Sequence, residues 1–151
     1  MQMEKYRIDE HNQSVLKEHQ RRYNFLAESI PAAVRILEKL VAFQIAIPSW
    51  ALGTGGTRFG RFSGGGEPRS LEEKIEDVGL LHALNQSGGA ISLHIPWDIP
   101  RNASAIKALA AQHGLRFDAV NSNTFQDQPD QQHSYKFGSL QHVDKAVRQQ
   151  A

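Results

Sequence analysis

The sequence contains no cysteine, no long apolar run and no marked excess of one charge. The lack of cysteine excludes a disulfide-stabilised scaffold and a thiolate-bound zinc site. No apolar run approaches the roughly 20 residues that a helix needs to cross a bilayer. Because 17 basic and 16 acidic residues leave a formal net charge of +1, neither nucleic acid nor a membrane surface is expected as a partner.

The N-terminal segment also lacks the apolar core of a signal peptide, since residues 1–18 are polar and charged. A cytoplasmic location is therefore expected. A chain of 151 residues with 40% hydrophobic residues is long enough to bury one modest core.

The first forty positions predict two helices. Apolar residues recur at helical spacing from His11 to Glu28, with an end expected near Pro31, and again from Ala32 to Lys39. Residues 1–40 are therefore interpreted as an N-terminal helical extension, and residues 41–151 as a separate α/β region.

In this α/β region, strands and helices alternate. The predicted strands are Val41–Ile47, Ala90–Ile95 and Arg116–Val120. The first predicted helix begins at a capping box of Ser70 and Glu73 and ends at Asn85, and its inward residues are Leu71, Ile75, Val78, Leu81 and Leu84. The next helix spans Ala103–His113, and a last one starts near Gly138 with Leu140, Val143 and Val147 as its apolar side. Such alternation indicates a parallel sheet, either doubly wound or a (β/α)₈ barrel. A barrel takes roughly 250 residues, so the domain is expected to be incomplete.

A glycine-rich stretch follows the first predicted strand. Seven glycines lie between Ala51 and Gly66, a composition that favours a long loop. A phosphate-binding loop is disfavoured, because no Gly-Lys-Ser/Thr follows and Arg58 stands where a dinucleotide fingerprint needs its third glycine. The loop is expected either to be a flexible surface segment or to carry Arg58, Phe59 and Arg61 to a ligand or a neighbouring subunit.

Aromatic residues follow each predicted strand at its carboxyl end. Trp50, Trp97 and Phe125 occupy these positions, and His94 lies near the end of the second strand. Ligands bind at this edge in both candidate architectures, and aromatic walls suit the C–H faces of sugars. His94 could instead be a hydrogen-bonded structural residue, and each ring could simply fill the top of a barrel. A metal site at His94 is disfavoured, because no carboxylate cluster lies near it in the sequence.

Six segments, in order along residues 41–142, carry a family resemblance. They read IPSW at 47–50, GTGGTRF at 53–59, GEPR at 66–69, SLHIPWD at 92–98, FDAVNSNTF at 117–125 and HSYKFGSL at 133–140. Together they resemble the broad-specificity branch of bacterial L-rhamnose isomerases.

The resemblance implies a partial (β/α)₈ TIM barrel, made of the first three strands with preceding N-terminal helices. It also implies a homotetramer that interconverts aldoses and ketoses with a divalent metal, typically manganese. Trp50 and His94 match residues that line the sugar site, Phe59 matches one that a neighbouring subunit inserts, and Phe125 matches a further apolar wall. Trp97 lies close to these in the sequence.

The family's metal ligands come from later strands, and no position of this chain matches them. The resemblance therefore implies that manganese is bound by residues beyond this chain, that no catalytic or metal-binding residue lies within it, and that this truncated chain alone is inactive. Two alternatives remain: another xylose-isomerase-like barrel enzyme, and a non-catalytic sugar-binding or subunit-interaction remnant.

Overall fold

The computed structural model describes residues 3–30, 32–52 and 65–151, without the side chain of Val41. In this part of the chain the helices are α1 (Lys5–Ser29), α2 (Ala33–Ala42), α3 (Leu71–Asn85), α4 (Ala103–Gln112) and α5 (Lys145–Gln150), and the strands are β1 (Ala46–Pro48), β2 (Ala90–Ile95) and β3 (Arg116–Ser122). A short 3-10 turn, Ser49–Ala51, follows β1. None of the helices in these ranges has the length and apolar character needed to cross a membrane.

The strands form a parallel sheet in the order β1-β2-β3. Ala46 of β1 is in register with Ala90 of β2, which in turn is in register with Arg116 of β3. Parallel neighbours require a crossover connection, which α3 and α4 provide. The predicted α/β alternation is therefore confirmed, while closure of the sheet into a barrel remains a prediction.

The hydrophobic core lies between the sheet and the helices α3 and α4. Its buried members are Leu71, Ile75, Val78, Ile91, Ile106, Ala110 and Leu115. Ile91 and the partly buried Leu93 of β2 both belong to this side. Because successive side chains of a strand point to opposite faces, His94 is directed away from the helices. One strand thus supplies the core on one face and a polar aromatic residue on the other.

Local capping and close packing fix α3. The Ser70 hydroxyl accepts a hydrogen bond from the backbone N–H of Glu73 at 3.2 Å, which confirms the predicted cap. The Glu73 carboxylate accepts from the N–H of Arg69. In the middle of the helix, Gly79 lies against His113, and a β-carbon at Gly79 would stand 2.5 Å from the His113 ring. Glycine at this position allows α3 to pack closely against the end of α4.

Two predicted boundaries near the N-terminus were wrong. Helix α1 begins at Lys5 rather than His11. Helix α2 continues through Ala42, so β1 begins at Ala46 instead of Val41. A short apolar run satisfies both helical and strand patterns, and here its first residues extend the helix.

Two predicted apolar faces were also wrong. The last helix begins at Lys145, where the Asp144 side chain caps it by accepting from the N–H of Ala146 at 2.9 Å. Leu140 and Val143 lie before that helix and are exposed, and only Val147 of the predicted apolar side is buried. In α3, Leu81 is 39% exposed, although its spacing predicted an inward position.

Shortening a core residue of α3 tests this arrangement. Ile75 is completely buried, so Ile75→Ala should lower the free energy of unfolding by about 2–5 kcal/mol through lost burial and a cavity. The matched truncation Leu81→Ala, on the same helix but partly exposed, should cost about 1 kcal/mol or less. Urea unfolding followed by circular dichroism measures both, and equal losses would contradict the assigned core.

Candidate functional site

Four aromatic residues from different parts of the chain meet at the carboxyl edge of the sheet. The imidazole of His94 stacks on Trp97, with ring centroids 4.3 Å apart and planes inclined by 23°. The indole of Trp50 meets it edge-on at 5.3 Å, and the ring of Phe125 does so at 6.3 Å. These residues, here called the ring cluster, are four of the five predicted to bind substrate. The fifth, Phe59, lies outside the described residues.

The ring cluster combines a buried centre with an accessible border. His94 is only 2% exposed, whereas Trp97 is 47% and Phe125 is 56% exposed. Trp50 is partly buried. Large apolar surface left open around a buried polar group is typical of a ligand site. The arrangement offers flat aromatic faces to a molecule that approaches from solvent.

Two buried polar atoms of this region have no hydrogen-bond partner among the described residues. They are Nδ1 of His94 and Oδ1 of Asn123. The backbone N–H of Asn123 donates to the carbonyl of Ile95 at 3.0 Å, which holds the end of β3 next to the end of β2. Buried polar atoms usually have partners, and an unpaired one costs stability. Both atoms therefore lack a partner among the described residues at the edge of the sheet where the aromatic rings meet.

Burial lowers the pKa of His94 below its ordinary value of 6.5, since the desolvated site disfavours the charged imidazolium. His94 is accordingly neutral at pH 7. A neutral imidazole has one nitrogen that donates and one that accepts, so it can form hydrogen bonds to an uncharged hydroxyl group. Charged ligands gain no electrostatic advantage from it.

A buried carboxylate lies directly beneath the ring cluster. Asp98 is 1% exposed and accepts hydrogen bonds from the N–H of His94 at 2.7 Å and from the hydroxyl of Ser49. Its other oxygen pairs with the ammonium group of Lys74 at 2.7 Å. The carboxylate thus connects three segments: Ser49 just after β1, His94 near the end of β2 and Lys74 in the first half of α3.

The sequence did not predict the role of Lys74. Lysine side chains are mostly exposed in proteins, yet that of Lys74 is only 12% exposed. The spacing contained a signal, because Lys74 lies three residues after Leu71 and four before Val78 and therefore shares their helix face. Nothing in the sequence indicated that Asp98 would be its partner.

A metal centre is not formed by the described part of the chain. Residues 3–30, 32–52 and 65–151 contain no group of three or more His, Cys, Asp or Glu side chains that could hold a metal ion. The nearest carboxylate to His94 along β2's terminal turn, Asp98, has both oxygens engaged by neighbouring donors. These residues do not fit a divalent cation site.

Comparison with known proteins gives two informative similarities. Over 113 residues, 75% of this chain, it is 54% identical to a protein of Rhizobium meliloti named "probable sugar isomerase", of which the match covers 26%. Over 148 residues, 95% of this chain, it is 46% identical to a protein of the same name from Mesorhizobium japonicum, of which the match covers 34%. No protein-family model matches the chain.

The chain therefore spans about a quarter to a third of the length of these curated relatives. Their names agree with the predicted resemblance at the level of sugar isomerases. Neither name mentions L-rhamnose or a metal, so the assignments to L-rhamnose and to manganese stay predictions.

The lowered pKa of His94 predicts a specific pH dependence of stability. Well above pH 6.5 the imidazole is neutral in both the folded and the unfolded form, and it contributes nothing to that dependence. As the pH falls below 6.5, the unfolded chain binds the proton first, so stability should decrease by at most about 1.4 kcal/mol per pH unit. The decrease should stop once the pH lies below the folded pKa.

Urea unfolding between pH 7.5 and 4.5 measures this contribution. His94→Gln keeps a polar side chain and removes the titrating group, so its stability should fall less steeply with acid than that of the native chain. Parallel curves for the two proteins would show that His94 is not held neutral by burial.

Proposed function

We propose that this chain is part of a sugar isomerase and supplies the aromatic wall against which the sugar lies. The observation that carries the proposal is the ring cluster, in which the nearly buried His94 is surrounded by Trp50, Trp97 and Phe125. Aromatic faces pack against the C–H surfaces of sugars while polar groups select their hydroxyls. The sugar isomerase names of two relatives support the same class.

The polar atoms of the site favour an uncharged, hydroxyl-rich ligand. Nδ1 of His94 and Oδ1 of Asn123 are buried without a partner among the described residues. A sugar hydroxyl can donate to one atom and accept from another, so a sugar could satisfy either kind of group. His94 would orient the sugar, and the rings would exclude water from its apolar face.

The finer proposal is an L-rhamnose-type aldose-ketose isomerase with a (β/α)₈ barrel and a homotetrameric assembly. It is supported by the sequence resemblance and by the parallel βαβαβ arrangement. In this proposal Phe59 completes the pocket of a neighbouring subunit. Manganese would be held by residues beyond this chain, in keeping with the greater length of the relatives.

A second candidate is a sugar-binding or subunit-interaction protein without catalysis. It is supported by the ring cluster, which can hold a sugar without any chemical conversion. The two candidates share the sugar site and differ in whether conversion follows binding.

Binding of L-rhamnose tests the shared part of both candidates. Trp50→Ala should weaken the affinity about tenfold or more, because it removes an aromatic wall. Phe137→Ala is the matched control, since Phe137 is 81% exposed and outside the ring cluster. Isothermal titration calorimetry and saturation-transfer NMR on the 151-residue chain provide the measurement. Unchanged affinity in Trp50→Ala, or no binding by the native chain, would refute the proposed site.

The same chain should not convert aldoses to ketoses by itself. Its described residues include no metal centre that could polarise the sugar oxygens. Incubation with L-rhamnose and manganese, followed by chromatography of the products, checks this against a metal-dependent isomerase of known activity. Manganese-dependent formation of the ketose by the purified chain would contradict the expectation.

A further inference from the structure

The three segments that carry Trp50, His94 and Trp97 are anchored to one carboxylate. Asp98 accepts from the hydroxyl of Ser49, the neighbour of Trp50, and from the backbone N–H of His94. Asp98 itself directly follows Trp97. Its own N–H donates to the carbonyl of His94 at 2.8 Å, so the backbone of His94 is held at both its N–H and its C=O.

This clamp determines where the rings lie. The turn between His94 and Asp98 places Trp97 back over the imidazole at 4.3 Å. The bond from Ser49 brings the end of β1 to the same point, and Trp50 then meets the imidazole edge-on at 5.3 Å. A change at the carboxylate should therefore alter the spacing of all three rings together.

Stability alone does not account for the ion pair. Lys74 and Asp98 are both largely removed from water, with side-chain exposures of 12% and 0%. Desolvation of two charges offsets much of their attraction, and apolar side chains of similar volume often serve a fold as well or better. An apolar pair, however, could not accept from the hydroxyl of Ser49 and the N–H of His94, as the carboxylate of Asp98 does.

We propose that Asp98, paired with Lys74, is a positioning residue that holds the backbone of His94 so that its imidazole contacts both indoles in the geometry needed to bind a sugar. This inference rests on the proposed function for the ligand. The position of the imidazole itself can be measured without any ligand. Two readouts therefore separate a failure of the positioning role from a failure of sugar binding.

The first experiment uses Asp98→Asn, with Asp118→Asn as the matched control because Asp118 is an exposed carboxylate on β3. An amide at position 98 keeps one acceptor oxygen but turns an NH₂ group toward donors. The ring-proton NMR signals of His94, identified by their loss in His94→Gln, report the ring current of the stacked indole. They should move downfield in Asp98→Asn and stay unchanged in Asp118→Asn.

The second readout is the affinity for L-rhamnose. The affinity should fall about tenfold or more in Asp98→Asn, because loss of a hydrogen bond to a buried polar group typically costs enough free energy for that change. The methyl signals of Ile75 and Val78 in the core should remain in place, which a general loss of structure would not allow.

A second variant keeps the test decisive if Asp98→Asn does not fold. Lys74→Met combined with Asp98→Leu replaces the ion pair by apolar side chains, a change that folds often tolerate, and removes the acceptor for His94. Its His94 signals should also move downfield.

Signals that stay at their native positions in the folded variant would overturn the positioning role, whether or not sugar binds. Displaced signals in a protein whose native form binds no L-rhamnose would overturn the proposed ligand and leave the clamp intact.

Discussion

The buried carboxylate of Asp98 is the contact on which the candidate site depends. A strand end, a 3-10 turn and a helix carry no intrinsic preference for one another, and hydrophobic burial is not directional. Hydrogen bonds to charged groups are directional and stronger than neutral ones. By accepting from Ser49, His94 and Lys74, Asp98 converts a loosely specified edge of the sheet into a defined geometry. The ring cluster follows from this constraint.

The two faces of β2 carry different kinds of residue, since one packs in the core and the other bears the candidate site. Ile91 and Leu93 face α3 and α4 and join the core, whereas His94 lies on the other face among the aromatic rings. The period of two along a strand makes this division possible. The carboxyl ends of parallel strands are where α/β proteins place their ligands, and the ring cluster lies at that end of β2. The proposed sugar site accordingly lies on the face of β2 opposite the hydrophobic core.

Much of the local structure was predictable because it depends on neighbouring residues. The cap at Ser70, the strand Ala90–Ile95 and the helix beginning at Ala103 follow from turn chemistry and apolar spacing, and the structure has them at those positions. The start of β1 was not predictable, since the run from Val41 fits either a helix or a strand. The apolar spacing predicts too early a start for the last helix, because the Asp144 side chain caps it immediately before Lys145.

The sequence by itself determined the order of strands and helices and the placing of Trp50, His94, Trp97 and Phe125 just after or near strand ends, because both depend on spacing along the chain. Only the tertiary structure decided that these rings meet around a neutral imidazole, and that Lys74 lies buried against Asp98. These contacts join residues far apart in the sequence, and their geometry depends on the packing of α3 against the sheet. Periodicity carries no information about which buried charge finds which partner.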